Sequence, residues 1–235
     1  MENHKEHVMK KITIFLLVWF LLLSLSSAVN ATLTTIGTAG YDSDGDGVEE
    51  SYNLIWDNDN NGSSLIFFDY FGIAMTWTNQ MNWASHLDPY LTIKLDPRYN
   101  LTWNDDSWRL PNAGFQPYQP YCDGNGSEMG HLLYTELNLT YYPDNAIQNS
   151  LNASIFEQLL HWVYWTSSKV TDNTLDYWKY SVSQGEYDIA HQNSGGLGLA
   201  IRSGEVTINP VPEPATIFLF GLGLLGLAGV SRKKK

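Results

Sequence analysis

Cysteine occurs once in these 235 residues, at Cys122. The chain therefore closes no disulfide within itself, and neither a disulfide scaffold nor a cysteine-pair oxidoreductase fits. Cations are scarce too: 13 Lys and Arg stand against 25 Asp and Glu, a formal charge of -12. Binding DNA or RNA needs clustered cations that displace counterions from phosphate, so nucleic acid is excluded as a partner. Catalytic signatures are missing as well. No Gly-x-Ser-x-Gly, His-Glu-x-x-His or Cys-x-x-Cys occurs, and His86, His131, His161 and His191 are scattered, so the expectation is a protein that is not an enzyme and needs no cofactor. No internal repeat occurs at a fixed period. What the chain does have is aromatic mass, with 9 Trp, 14 Tyr and 9 Phe in a composition that is 43% hydrophobic, enough for a packed core.

The charge is unevenly placed. Lys5, Lys10 and Lys11 open the chain and Arg232 to Lys235 close it, which leaves six cations against 22 acids between Thr32 and Val211, a charge of -16. Each basic end abuts an apolar run. Ile12 to Leu23 is followed by Ser26, Ser27, Ala28 and Ala31, the three-part pattern of a secretory signal peptide over residues 1–31, with Val29-Asn30-Ala31 as cleavage site. At the other end, residues 207–235, Pro212-Glu213-Pro214 precedes the apolar run 215–230 and the basic tail 232–235. As a helix that run is roughly 24 Å long at about 1.5 Å per residue, near the thickness of a hydrocarbon core, and the basic tail favours the cytoplasmic side. The letters Gly221, Gly223 and Gly226 fit a dinucleotide fingerprint, but no strand precedes them, so they belong to the membrane helix.

This order of Pro-Glu-Pro, apolar helix and basic tail resembles the PEP-CTERM sorting signal of Gram-negative bacteria. The resemblance implies an exported precursor held in the inner membrane, with the secretion machinery and an exosortase as partners. It also implies delivery to the cell surface or an exopolysaccharide matrix.

Between the two ends, residues 32–49 read as an irregular Asp- and Gly-rich lead-in. Asn53 to Asp57 and Leu65 to Tyr70 read as strands paired across an Asn61-Gly62 turn. The spacing of Trp77, Gln80, Met81, Ala84 and Leu87 predicts a helix capped by Thr76 and stopped before Pro89. Further helices are expected over 127–137 and 151–160, and strands over 163–168, 177–182 and 197–201. Helices early and strands late predict an α+β class. The series Leu54-Ile55-Trp56-Asp57, Met75-Thr76-Trp77 with Trp83-Ala84, Trp108-Arg109-Leu110-Pro111, Glu128-Met129-Gly130-His131-Leu132, Tyr164-Trp165-Thr166-Ser167 and Ala200-Ile201-Arg202 resembles, in order and spacing, the Lcl C-terminal-like domain of exported bacterial proteins. That resemblance covers residues 50–206. It implies a C-type-lectin-like fold with two or three helices and an antiparallel sheet, and makes Trp108, Arg109, Leu110 and Pro111 a family core motif.

Candidate sites are few. Asp42, Asp44 and Asp46, with Gly45 and Gly47 between and after them, resemble the opening of a calcium loop, although Asn53 stands where an EF-hand needs Glu. Asp57, Asp59 and Asn61 make a weaker second opening, which solvated Asx turns explain as well. Trp103-Asn104-Asp105 resembles a lectin sugar-site triplet but lacks its companion, and is read as coincidence. Tyr118, Tyr121, Tyr141 and Tyr142, in Pro- and Asn-rich segments, are candidates for stacking on sugar rings. The expected function is a non-enzymatic surface or matrix protein that binds exopolysaccharide. The alternatives are a secreted hydrolase using a carboxylate pair and a calcium-dependent matrix crosslinker.

Overall fold

Leu65, Ile66, Phe67 and Phe68 are four consecutive residues with no exposure at all, as are Leu54 and Ile55 opposite them. Side chains alternate across a strand, so six such residues require both faces of the sheet to be covered. They lie in the hairpin of β2 (Glu50–Asn60) and β3 (Ser63–Phe68). Asn61 and Gly62 both take positive φ, 52° and 81°, in the two-residue turn whose twist suits a hairpin.

The computed structural model describes residues 33–209 apart from Phe71, Asp106, 115–125, 139–154, 160–161, 173, 183 and 185. Residues 33–41, expected to be irregular, form the strand β1 (Leu33–Tyr41) against β2. Its Thr-rich sequence suits a strand with one covered face, and Ile36 and Ala39 are the residues it buries. β4 (Thr92–Leu95) and β5 (Tyr99–Trp103) follow, and β9 (Ala200–Ile208) completes a six-stranded sheet in the order β4-β1-β2-β3-β9-β5. Every pairing in it is antiparallel.

Its two outer strands, β4 and β5, are joined only by Asp96, Pro97 and Arg98. A flat six-stranded sheet would hold its edges about 24 Å apart, whereas that connection spans at most roughly 14 Å. The sheet therefore curls into a nearly closed, barrel-like form. Register shifts at Thr35/Gly37 and Asp57/Asn60 supply local bends. Gly37 is where β1 and β4 meet most tightly: a Cβ there would lie 2.5 Å from the Lys94 carbonyl oxygen.

A second, three-stranded antiparallel sheet contains β6 (Val163–Lys169), β7 (Asp176–Ser181) and β8 (Glu186–His191) in that order. Ile55, Leu65, Phe67 and Ile201 share one core with Met129, Leu132, Tyr164 and Tyr180. Leu54, Ile66, Phe68 and Ala200 face a second core with Trp108, Leu110 and Trp165.

The expectation of an α+β, C-type-lectin-like domain with two or three helices is corrected. Among the described residues strands predominate, and the α-helical content amounts to two short elements. One is α1 (Trp77–Ser85), capped by Thr76 through the Asn79 amide as the sequence predicts. The other is α2 (Glu128–Gly130), capped by Ser127 and continued as a π-helix over His131–Glu136. No α-helix forms over residues 155–159, where a third was expected. The buried carboxylate of Asp69 explains this: it accepts the backbone N–H of Glu157 at 2.7 Å and of Gln158 at 3.2 Å. Phe156 meanwhile packs edge-on against Phe67. The apolar spacing that suggests a helix there belongs to an anchored turn.

Candidate functional site

A cleft of about 530 Å³ opens between the β1–β2 connection and the segment from α1 to β4. Tyr41, Trp83 and Tyr90 give it aromatic walls, and Asp42, Glu49 and His86 give it polar edges. Trp83 is half-buried and leans on Tyr70, whereas Tyr90 is 65% exposed. Tyr90 sits where it does because Pro89 ends the helical run and a single 3-10 turn over Asp88–Tyr90 redirects the chain into β4. Glu49 is held at the rim by the Thr92 hydroxyl, 2.8 Å away.

The acidic loop forms one end of this cleft. The Gly45 and Gly47 amides donate to the two oxygens of Asp42 at 2.8 and 3.0 Å, and the Asp46 amide donates to Asp44. Both glycines adopt positive φ, 79° and 89°, which lets the chain turn around the Asp42 carboxylate. Asp42, Asp44 and Asp46 can each bring a carboxylate oxygen within 4.8 Å of the others. Ser43 closes the loop by donating from its amide and its hydroxyl to Glu50, which holds the Glu50 carboxyl below the usual carboxylate range. The arrangement offers clustered hard oxygen ligands at the mouth of an aromatic cleft.

The Trp108–Pro111 segment does different work. Trp108 and Leu110 are fully buried, and Trp103 meets Trp108 edge-on at 5.3 Å. Arg109 forms a two-pronged pair with Glu128, at 2.7 and 2.6 Å, and the Asn112 amide adds a third bond to the same carboxylate at 2.8 Å. The pair holds Arg109 above its ordinary basicity and fastens α2 to the segment leading from β5. Trp103-Asn104-Asp105 is used in packing β9: Arg202 stacks on Trp103 and donates to the Asp105 carbonyl, and Asp105 accepts from the Ser203 amide. Tyr118, Tyr121, Tyr141 and Tyr142, Cys122 and Pro212-Glu213-Pro214 lie outside the described residues.

The sequence reading missed one grouping. Asp57, read as the start of a weak second calcium-loop opening or of a solvated Asx turn, is fully buried, and it meets His131 and Glu136, which are 8% and 5% exposed. Burial pushes the Asp57 carboxyl above its usual range, with Glu136 adding to the effect. His131 is raised as well, chiefly by Glu136, whose Oε1 lies 3.5 Å from Nε2. The sequence did hold a signal: two residues apart on one strand, Asp57 shares a face with Ile55, so an apolar face there makes Asp57 a buried acid.

No curated protein and no solved structure matches the chain. Among the described residues, no helix is long and apolar enough to cross a membrane. Residues 210–233 match the family model of the PEP-CTERM protein-sorting motif, so the chain is an exported, membrane-anchored precursor processed by an exosortase.

Proposed function

We propose that the domain ahead of the sorting motif is a non-enzymatic surface or matrix protein that binds exopolysaccharide in the Tyr41–Trp83–Tyr90 cleft, with calcium held in the Asp42–Asp46 loop. The observation that carries this reading is the cleft itself: aromatic rings that offer apolar faces to sugars stand beside carboxylates that can hold a cation. The sorting motif supports an exported role of this kind. Calcium bound by Asp42, Asp44 and Asp46 would fix the loop at the end of the cleft and offset part of the negative charge that a matrix polyanion would otherwise meet.

Binding to matrix polysaccharide tests the reading, measured with and without calcium for the wild type and for Tyr90→Ala. Tyr90 is exposed, so its removal leaves the core untouched; the expectation is at least tenfold weaker binding with an unchanged melting temperature. Equal retention of both proteins, or none for either, sinks it. A hydrolase reading has one observation in its favour, since Asp42 and Glu49 line the same cleft. Asp42, however, has both oxygens engaged with loop amides, which suits shaping a loop and not transferring a proton. Release of reducing ends from matrix glycans, abolished by Glu49→Gln, would establish turnover in its place.

A further inference from the structure

We propose that Asp57, His131 and Glu136, with Asn60, form a binding site for one divalent transition-metal ion of the zinc class. This site is separate from the cleft. Donor atoms of the three residues lie within 4.8 Å of one another. Ligands about 2.1 Å from a tetrahedral ion stand roughly 3.4 Å apart, so side-chain adjustment alone would close the set.

Three features point to a cation. Two acidic side chains and an imidazole converge in a buried location, a donor set that a divalent ion can hold together. Asn60 Oδ1 is buried with no hydrogen-bond partner, Asn60 being 1% exposed, and buried His131 Nε2 makes no hydrogen bond of good geometry, its neighbour being Glu136 Oε1 at 3.5 Å. A buried nitrogen and a buried amide oxygen left unsatisfied are costly unless something accepts their lone pairs, and a metal ion does. The carboxylate is also oriented in advance: the Asp59 amide donates to Asp57 Oδ1 at 3.2 Å and Asn60 Nδ2 donates to Oδ2 at 2.9 Å, the supporting shell that ligating acids usually have.

The π-helix explains how the ligands converge. Residues five apart in an α-helix point about 140° away from each other. The wider turn over His131–Glu136, bonded from i to i+5, returns residue five to nearly the same side, so His131 and Glu136 face Asp57 together. One imidazole with two carboxylates and an amide oxygen is a mixed nitrogen and oxygen set. It suits zinc-class ions over calcium, which takes six to eight oxygens. Few open positions remain in a site this buried, so the ion would pin the β2–β3 hairpin to the π-helix.

The test uses the full-length chain in mild detergent without a polyhistidine tag, stripped with chelator and titrated with Zn²⁺ alone. One tightly held Zn²⁺ per chain is expected, with a higher melting temperature and an X-ray absorption spectrum showing one imidazole in an oxygen shell. His131→Gln should weaken binding on the order of 100-fold or more and Asn60→Ala about 10-fold to 100-fold, while Asp172→Asn, at an exposed position outside both carboxylate groups, leaves it unchanged. The proposal is overturned if the wild type retains no Zn²⁺ and its melting temperature stays fixed. It is equally overturned if the spectrum shows no imidazole or several, or if folded His131→Gln binds as before. The wild-type spectrum decides the matter even if the variant does not fold.

Discussion

Removing Arg109 is the most incisive perturbation of the fold. The Glu128 side chain is 10% exposed and takes two bonds from Arg109, at 2.6 and 2.7 Å, and one from the Asn112 amide. In Arg109→Met the carboxylate keeps only the amide and stays buried as an uncompensated charge. Breaking a buried pair in this way costs about 3–5 kcal/mol. The Arg109 side chain is 34% exposed, so water screens part of the loss and about 2–4 kcal/mol is the working figure. For a domain of this size that is a fall in melting temperature of roughly 5–15 °C. Glu128→Gln retains the shape and one acceptor and should cost less, about 1.5–3 kcal/mol. Combining the two removes the stranded charge, so the double variant should be more stable than the sum of the single losses by 1 kcal/mol or more. Chemical denaturation of the four proteins in mild detergent measures all these quantities. A loss under about 1 kcal/mol in Arg109→Met, or strict additivity, would mean that the pair does not hold the buried carboxylate in this way.

Other outcomes are equally specific. Burial raises the Asp69 carboxyl from 3.8 to about 6, so the folded chain holds a proton that the unfolded chain has released between those values. Stability should therefore fall by about 3 kcal/mol as pH rises from 4 to beyond 6. Asp69→Asn should flatten that slope while giving up one of the two amide bonds, as pH-dependent denaturation will show. Gly196→Ala places a methyl 2.7 Å from the Trp165 indole nitrogen, which is fixed by its bond to the Met75 carbonyl, and should destabilise by about 1–3 kcal/mol in a thermal melt. Millimolar calcium should raise the melting temperature of the wild type and leave an Asp42→Asn, Asp44→Asn double variant unmoved.

Local grammar was legible and closure was not. The Asn61-Gly62 turn and the Thr76 cap depend on neighbours in sequence, and both form where their residues indicate. β1, β4, β5 and β8 escaped because a Thr- and Gly-rich strand and strands of four to six residues carry little apolar periodicity. The fold class failed for a related reason: the apolar residues Ile155, Phe156 and Leu159 report burial and cannot tell a helix from a turn whose amides a distant Asp69 captures. Part of the cleft was visible as the acidic loop, but Trp83 and Tyr90 join it only through the path of α1 and β4. Asp57 and His131 are 74 positions apart, and nothing local marks them as neighbours until β2 and the π-helix are placed.

The place of β9 sets an order of events during export. β9 lies between β3 and β5, pairing Leu65 with Ser203 and Tyr99 with Ile208, so the curled sheet has a gap until the last strand arrives. Contacts this distant in sequence make folding slow. A chain exported from its N-terminal end would therefore carry an open β3 edge until β9 is added. β9 ends at Ile208, so the strand that closes the gap lies directly ahead of the sorting motif beginning at residue 210. Anchoring by that motif would hold the unfinished domain singly at the membrane while it closes, making the C-terminal signal a folding tether as well as an address.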